Sequence, residues 1–280
     1  MQTFSECYTC LVEQASTAMS INDIPNAKQI LVMREVLQLL SQADVDLPPS
    51  ETADATNQLM REMTGISDFY RDIKTRTTIH ALEIYPHLKD LVSQAADPID
   101  MALRVCVAGN IIDVIHGDNF NLLEIMKRVK DQPFSGNGME DFRMDLAKAE
   151  YLLIIADNAG ESVFDRVLVE TLDIPVIYAV KSGPVLNDAT MEDALAVNMD
   201  QIARIIETGS DGPGTILHDC TPEFRETMAN APLILAKGQA NFETLGGKPY
   251  KQLYLMLQTK CPIIARYLQI SVGNIVLKHA

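Results

Sequence analysis

The sequence lacks the features that mark membrane and secreted proteins. No apolar run approaches the roughly 18–20 residues that a membrane span needs. The first residues do not combine a basic start with an apolar core, so no secretory signal is predicted. The five cysteines are odd in number and widely spread, which does not suit a disulfide framework. These absences predict a cytosolic protein without a membrane partner.

Basic side chains are scarce relative to acidic ones. The chain has 38 Asp and Glu against 23 Lys and Arg, a formal net charge of −15 at pH 7. This balance disfavours nonspecific nucleic-acid binding, because the affinity for nucleic acid comes largely from phosphate contacts with Lys and Arg. Small phosphate compounds are not excluded, since a bound cation or a local lysine can neutralise them.

The chain has two halves that differ in hydrophobic period. Residues 1–149 place apolar side chains at helical spacing, for example over 68–87 and 98–115, with a helix end expected near Pro86. From residue 150, short apolar runs alternate with helical segments. The predicted strands are residues 152–155, 176–180, 203–206, 233–236, 253–257 and 275–278. The prediction is therefore an α/β protein, in which a helical subdomain (1–149) packs on a mostly parallel, doubly wound sheet (150–280).

Polar side chains follow two of these predicted strands where the apolar runs stop. Asp157 and Asn158 follow the first strand, and Asp188 lies in the segment after the second. Ligands of open α/β sheets bind beyond the carboxyl ends of the strands. Carboxylate and amide oxygens suit Mg²⁺ or Mn²⁺, and this set leaves positions open for a phosphate oxygen. The alternative interpretation is that Asp157 only caps the helix that follows it.

Other residues near the strand ends are candidates for binding the phosphate itself. Gly160 would let the backbone approach a ligand, and the turn through Glu161 leads into a helix whose free N–H groups favour an anion. Lys237 ends the fourth strand and precedes a glycine, a position from which its ammonium could reach a phosphoryl oxygen. Lys181 is a similar candidate. For either lysine, a solvated surface position is the alternative.

The helical half contains two further groups of polar residues. Asn110 and Asp113 are three residues apart in an apolar helical pattern, so they share one face. Leaving them buried without partners is costly, so we expect them to line a polar site or to cap a neighbouring element. Asp68, Arg71 and Lys74 favour a solvated charged face.

A CxxC pair leaves a different function open. Cys7 and Cys10 form half of a structural zinc motif, and no second CxxC or HxxxH completes it. The pair could organise a metal- or metabolite-binding module, act as a redox pair, or provide two small apolar side chains on a helix.

The chain resembles the metal-dependent damage-control phosphatases, formerly a domain of unknown function. The similarity covers nearly the whole chain and is greatest to the compact, stand-alone archaeal and bacterial branch. It rests on five motifs in order: ECYTC (6–10), GNIID (109–113), IIADNAGE (154–161), LNDAT (186–190) and AKGQANFETL (236–245). This resemblance implies a helical N-terminal subdomain, a Rossmann-like α/β core, and a divalent cation such as Mn²⁺, Mg²⁺, Co²⁺ or Ni²⁺.

The resemblance also implies roles for particular residues. The metal-binding Asp-Asn pair of the family and its later Asp match Asp157, Asn158 and Asp188. The family's helical Asn and Asp, and its phosphate-contacting Lys, match Asn110, Asp113 and Lys237.

The resulting hypothesis is a metal-dependent phosphatase that hydrolyses phosphate monoesters of small metabolites. Its catalytic candidates are Asp157, Asn158, Asp188 and Lys237, and its substrate-binding candidates are Asn110, Asp113, Gly160 and Glu161. The nucleophile is left open between Asp157 and a metal-activated water. A haloacid-dehalogenase-like phosphatase is a less favoured alternative, because it needs a second Asp where this chain has Ala159. A Rossmann oxidoreductase is disfavoured because no GxGxxG follows the first strand.

Overall fold

The computed structural model describes residues 1–109, 127, 130, 132–136, 138–250 and 252–280. Its α-helices, numbered along the chain, are α1 Ser5–Ile21, α2 Asn26–Ser41, α3 Pro49–Thr64, α4 Arg71–Ser93, α5 Pro98–Gly109, α6 Gly138–Leu146, α7 Ser162–Thr171, α8 Met191–Ala196, α9 Pro222–Asn230, α10 Gln239–Leu245 and α11 Pro262–Leu268. Its strands are β1 Leu152–Ile155, β2 Val176–Val180, β3 Arg204–Glu207, β4 Ile234–Lys237, β5 Leu253–Gln258 and β6 Ile275–His279. Asn110 and Asp113 lie outside the described residues. None of the described helices combines the length and apolarity needed to cross a membrane.

The six strands form one sheet in the order β3-β2-β1-β4-β5-β6. All neighbouring strands are parallel except β6, which runs antiparallel to β5. This is the strand order of a doubly wound Rossmann sheet, and the chain reverses its direction of winding between β1 and β4. The fold-class prediction is therefore confirmed, and the carboxyl ends of β1 and β4 form the switch point where such sheets bind ligands.

Both faces of the sheet are buried at its four inner strands, β2, β1, β4 and β5, which explains why these are nearly continuous apolar runs. The edge strand β3 is partly exposed. Leu152 and Ile154 pack into a core shared with α4, α5, α6 and α7. Leu153 and Ile155 point to the opposite face and pack into a second core with α9, α10 and α11. Alternate residues of one strand thus hold helices on both sides of the sheet.

Helices α1, α2 and α3 have a hydrophobic core of their own, which includes Leu11, Val32 and Met60. Leu186, from the segment that follows β2, packs against this core. The N-terminal helices thereby meet the sheet at the edge that carries the predicted site. The division into subdomains at residue 150 stays a prediction.

Two local predictions in α4 are wrong. The helix continues through Pro86 to Ser93, because Leu88 and Val92 beyond the proline are buried in the core beside the sheet. Lys74 is not solvated: it is 5 % exposed and its Nζ lies 3.1 Å from Asp68 and 3.0 Å from Asp193.

Candidate active site

The candidate site lies at the switch point, where β1 ends. Asp157 and Asn158 follow β1, and the segment that carries Asp188 folds back beside them. The Ala189 N–H donates to the Asp157 carbonyl at 2.7 Å, and Asn158 pairs with Asp188 in an antiparallel bridge. The side chains of Asp157 and Asp188 are buried. Two carboxylates that are 31 positions apart in sequence therefore lie at one edge of the sheet, as predicted.

The end of β4 passes directly beside the Asp157 carboxylate. Gly238 has a φ of +82°, and a Cβ at this position would lie 2.0 Å from Asp157 Oδ2. Only glycine combines this backbone conformation with such a close approach. The Asn241 amide donates to the carbonyls of Ala156 at 3.2 Å and Lys237 at 2.7 Å, which ties β1 and β4 together at their ends.

A chain of polar contacts links Asn158 to Lys237 through Glu161. Asn158 Nδ2 donates to Glu161 Oε1 at 2.5 Å and to Asp157 Oδ2 at 3.2 Å. Lys237 Nζ lies 2.8 Å from Glu161 Oε2 and 2.5 Å from Asp165 Oδ1. The amide nitrogen of Asn158 donates both of these hydrogen bonds, so its Oδ1, which carries the lone pairs, is the atom that can bind a cation.

Asp165, which pairs with Lys237, extends these contacts into a buried polar network. It accepts a hydrogen bond from the Tyr178 hydroxyl at 2.7 Å and another from Cys106 Sγ at 2.9 Å. Burial opposes the charge of Lys237, but Asp165 and the neighbouring groups outweigh it and raise the pKa of Lys237 well above its usual value. Lys237 is thus a charged ammonium inside the protein, and the surface position considered for it from the sequence is excluded.

The two aspartates are electrostatically suited to a divalent cation. Burial, followed by the charges of Glu161 and Asp188, raises the pKa of Asp157 well above its usual value. Burial also raises the pKa of Asp188 to about 6, although Lys181, whose Nζ lies 3.6 Å from Asp188 Oδ2, opposes this change. Adjacent buried carboxylates are destabilised unless a proton or a cation joins them. With Asn158 Oδ1 they form the mixed oxygen set that hard cations prefer, so these residues fit such an ion.

Water or substrate oxygens would have to complete this coordination. Among the residues that the structure describes, no three His, Cys, Asp or Glu side chains are grouped in a way that could hold a metal ion. An open coordination set of this kind is typical of catalytic rather than structural metal sites.

A cleft of about 370 Å³ opens from the aspartates toward the N-terminal helices. Asp157, Asn158 and Asp188 line it at the sheet edge. Its remaining charged or thiol-bearing side chains are those of Glu6, Cys7, Cys10, Glu243, Lys260 and Cys261. The CxxC pair thus borders the same cleft as the candidate metal ligands, and Lys237 lies behind the cleft wall.

Gly160 and Glu161, the substrate-binding candidates in the turn after β1, contact other parts of the protein. Gly160 packs against α4, where an added Cβ would lie 3.1 Å from Thr77 Cβ. The Glu161 N–H donates to the Asn158 carbonyl at 3.1 Å. Glu161 therefore joins the site through its carboxylate.

Three residues of the site were not predicted from the sequence: Asp165, Asn241 and Lys260. Asp165 lies one helical turn after Glu161, so their shared helix face was a usable signal. Asn241 is a polar residue at a buried position of a short helix, and Lys260 comes two residues after the end of β5. Neither position alone indicates what the side chain contacts.

This arrangement defines a Rossmann-type α/β protein with a candidate metal-binding active site at its switch point. The sequence profile of the damage-control phosphatase ARMT1-like domain matches residues 3–276. The chain is 28% identical to a damage-control phosphatase of Pyrococcus horikoshii, over 99% of this chain and 97% of that protein. It is 30% identical to a damage-control phosphatase of Archaeoglobus fulgidus, over 78% of this chain and 77% of that protein.

The fold comparison agrees with these sequence matches. The crystal structure of a DUF89 family protein from Pyrococcus horikoshii superposes with a TM-score of 0.89 at 26% identity, covering 100% of this chain and 99% of that one. The chain belongs to the damage-control phosphatase ARMT1-like family, and the resemblance read from its five motifs is confirmed. Membership in this family favours neither the haloacid-dehalogenase alternative nor the module organised by Cys7 and Cys10.

Proposed function

We propose that this protein hydrolyses phosphate monoesters of small metabolites, such as sugar phosphates and related damaged or side-product metabolites, with a bound divalent cation. Mn²⁺, Mg²⁺, Co²⁺ and Ni²⁺ are the candidate metals, and the proposed location is the cytosol. Support comes from the family, whose Pyrococcus and Archaeoglobus members carry the name damage-control phosphatase.

One observation carries the proposal: two buried aspartates, one directly after β1 and one in the segment after β2, line a cleft large enough for a small metabolite. Asp157 and Asp188 border this cleft together with residues of α1 and α3. A metabolite in the cleft would therefore have its phosphate at the carboxylates and the rest of the molecule against the N-terminal helices. With a subdomain boundary at residue 150, the cleft lies between the proposed subdomains.

In this proposal Asp157, Asn158 and Asp188 hold the cation. The cation supplies Lewis acidity and a template for phosphate oxygens. Asn158 presents its Oδ1 because Glu161 holds its amide nitrogen. The hydrogen bond from Ala189 to the Asp157 carbonyl fixes the backbone between the two aspartates.

Lys237 is proposed to act through Glu161. Its ammonium is shared between Glu161 and Asp165 and is 1 % exposed. It therefore fixes the carboxylate that orients Asn158, and it offsets negative charge behind the metal ligands. In this role Lys237 is a positioning residue.

The proposal is tested with p-nitrophenyl phosphate and each of the four candidate cations. We expect turnover that requires added metal, and a loss of at least about 100-fold in kcat/KM for Asp157→Asn. Asp173→Asn is the matched control, because Asp173 is an exposed aspartate that precedes β2 at the opposite edge of the sheet. Equal turnover by the Asp157→Asn protein would contradict the proposal. A phosphate-release screen over sugar phosphates then identifies the substrate class.

A further inference from the structure

Lys74 lies between two carboxylates in the interior of the protein. Its Nζ is 3.1 Å from Asp68 Oδ2 and 3.0 Å from Asp193 Oδ2, and all three side chains are at most 13 % exposed. Taking such charges out of water is costly, and an apolar cluster of the same volume is often as stable. What a buried ion pair can supply is a defined position for the segments that it joins, here α4 and α8.

Asp193 connects this ion pair to the residues before α8. The oxygen that faces Lys74, Asp193 Oδ2, also accepts hydrogen bonds from the Thr190 N–H at 2.9 Å and from the Thr190 hydroxyl at 2.7 Å. These bonds form the cap at the start of α8. One carboxylate oxygen therefore holds Lys74 and Thr190 together, and the ammonium keeps this carboxylate in place.

Thr190 ends the short segment, residues 186–190, that places Asp188 at the candidate site. Leu186, at the start of the segment, has a φ of +45°. This left-handed conformation costs free energy for a residue with a side chain. Contacts with other parts of the protein must therefore hold the segment, and the bonds of Thr190 to Asp193 hold its carboxyl end.

The charge of Lys74 also reaches Asp188. Burial raises the pKa of Asp188, and Lys181 and, more weakly, Lys74 oppose this change. A second pair between α4 and α8, Arg71 and Glu192 at 3.6 Å, has side chains that are 61 % and 79 % exposed, so solvent screens it. Lys74 thus combines burial with a path of contacts to a candidate metal ligand.

We propose that Lys74 is a positioning residue for Asp188, the candidate metal ligand, which it holds through Asp193 and the segment that ends at Thr190. This inference rests on the proposed metal-dependent function and extends the site to α4, in the helical half of the chain. The packing of α4 and the geometry of the metal site are then linked through one side chain. Outer contacts of this kind orient metal ligands, and their loss typically weakens metal binding by about 10–100-fold.

The test is Mn²⁺ binding to the full chain, measured by isothermal titration calorimetry and by the electron paramagnetic resonance spectrum of the bound ion. We expect Lys74→Met to raise the Kd of Mn²⁺ by roughly tenfold or more and to change this spectrum. Asp193→Asn removes the charge that faces Lys74 but keeps an oxygen for Thr190, and it should raise the Kd by about threefold or more. It replaces Lys74→Met if that protein does not fold.

Control variants separate positioning from stability. Leu88→Ala opens a cavity in the core under the same helix, so it should lower the Tm but change the Kd by less than about twofold. Arg71→Met removes the exposed cation of the second pair and should change neither quantity. In an Asp188→Asn background, Lys74→Met should change the remaining Kd by less than about twofold, because the ligand that it positions is already altered. An equal effect of Lys74→Met in both backgrounds, or an equal effect of Leu88→Ala on the Kd, would overturn the inference.

Hydrolysis of p-nitrophenyl phosphate separates this inference from the proposed function. If the wild type binds Mn²⁺ with the described dependence on Lys74 but hydrolyses no ester, the phosphatase function fails and the inference stands. If the wild type hydrolyses esters with Mn²⁺ and the Lys74→Met protein binds Mn²⁺ as tightly as the wild type, the function stands and Lys74 does not position Asp188. A wild type that binds no Mn²⁺ also overturns the inference.

Discussion

The buried pairs of Lys237 allow a direct test of its proposed structural role. The Lys237→Met protein keeps most of the side-chain volume but removes the ammonium that contacts Glu161 at 2.8 Å and Asp165 at 2.5 Å. Removing one partner of a buried ion pair typically costs about 3–5 kcal/mol, because the remaining charge is uncompensated. All three side chains are at most 2 % exposed, so solvent does not screen the loss. We expect a decrease in unfolding free energy in this range.

Urea and thermal unfolding, followed by circular dichroism, measure this effect. For a protein of 280 residues, 3–5 kcal/mol corresponds to a Tm lower by roughly 5–9 °C. Part of the loss should disappear as the pH falls, since burial raises the pKa of Asp165 and its unpaired carboxylate can then take up a proton in the folded state. Lys248→Met, at an exposed position, should change the unfolding free energy by less than about 0.5 kcal/mol. A Lys237→Met protein as stable as this control would refute the network described for Lys237.

Three further predictions follow from the site. Gly238→Ala should weaken Mn²⁺ binding and lower the unfolding free energy by about 2–4 kcal/mol, because the added Cβ would lie 2.0 Å from Asp157 Oδ2. Gly247→Ala is the control, because Gly247 has a similar φ and no atom within 4 Å of an added Cβ. It should lower the unfolding free energy by only about 1–2 kcal/mol. Because burial raises the pKa of Asp188 to about 6, its protonated carboxyl should stabilise the metal-free protein most below pH 4. This contribution to the unfolding free energy, on the order of 3 kcal/mol, should be lost as the pH rises through 6. Urea unfolding should show that Mn²⁺ reverses this loss and that Asp188→Asn abolishes it. Cys10→Ser should keep the Mn²⁺ affinity measured by calorimetry, whereas a loss of binding would favour a thiol-organised metal site.

The sheet was predictable because burial on both faces makes its inner strands short apolar runs. The predicted ranges for β1 and β2 match the structure, and the remaining four differ at their ends by one residue. The edge that carries Asp157 and Asp188 was also predictable, because parallel strands bring their carboxyl ends together. Thr190 and Asp193 form a capping box at the start of α8, and their spacing of three residues is typical of this motif.

Contacts between distant segments were not predictable from spacing. Lys74 is buried because Asp193, 119 positions later, pairs with it. Pro86 does not end α4, because burial of the following turns against the sheet outweighs one missing backbone hydrogen bond. The Glu161 carboxylate is buried because Lys237, at the end of β4, pairs with it. In each case the partner comes from tertiary packing, which the local pattern does not encode.

Asp157, Asn158 and Asp188 are proposed to hold one catalytic divalent cation. The most direct test is equilibrium Mn²⁺ binding to the wild type and to the Asp157→Asn/Asp188→Asn protein, followed by electron paramagnetic resonance at pH 7.5. We predict one ion bound per wild-type chain and no binding at the same Mn²⁺ concentration in the double variant, with its fold retained by circular dichroism. Equal Mn²⁺ binding by the two proteins would contradict the account.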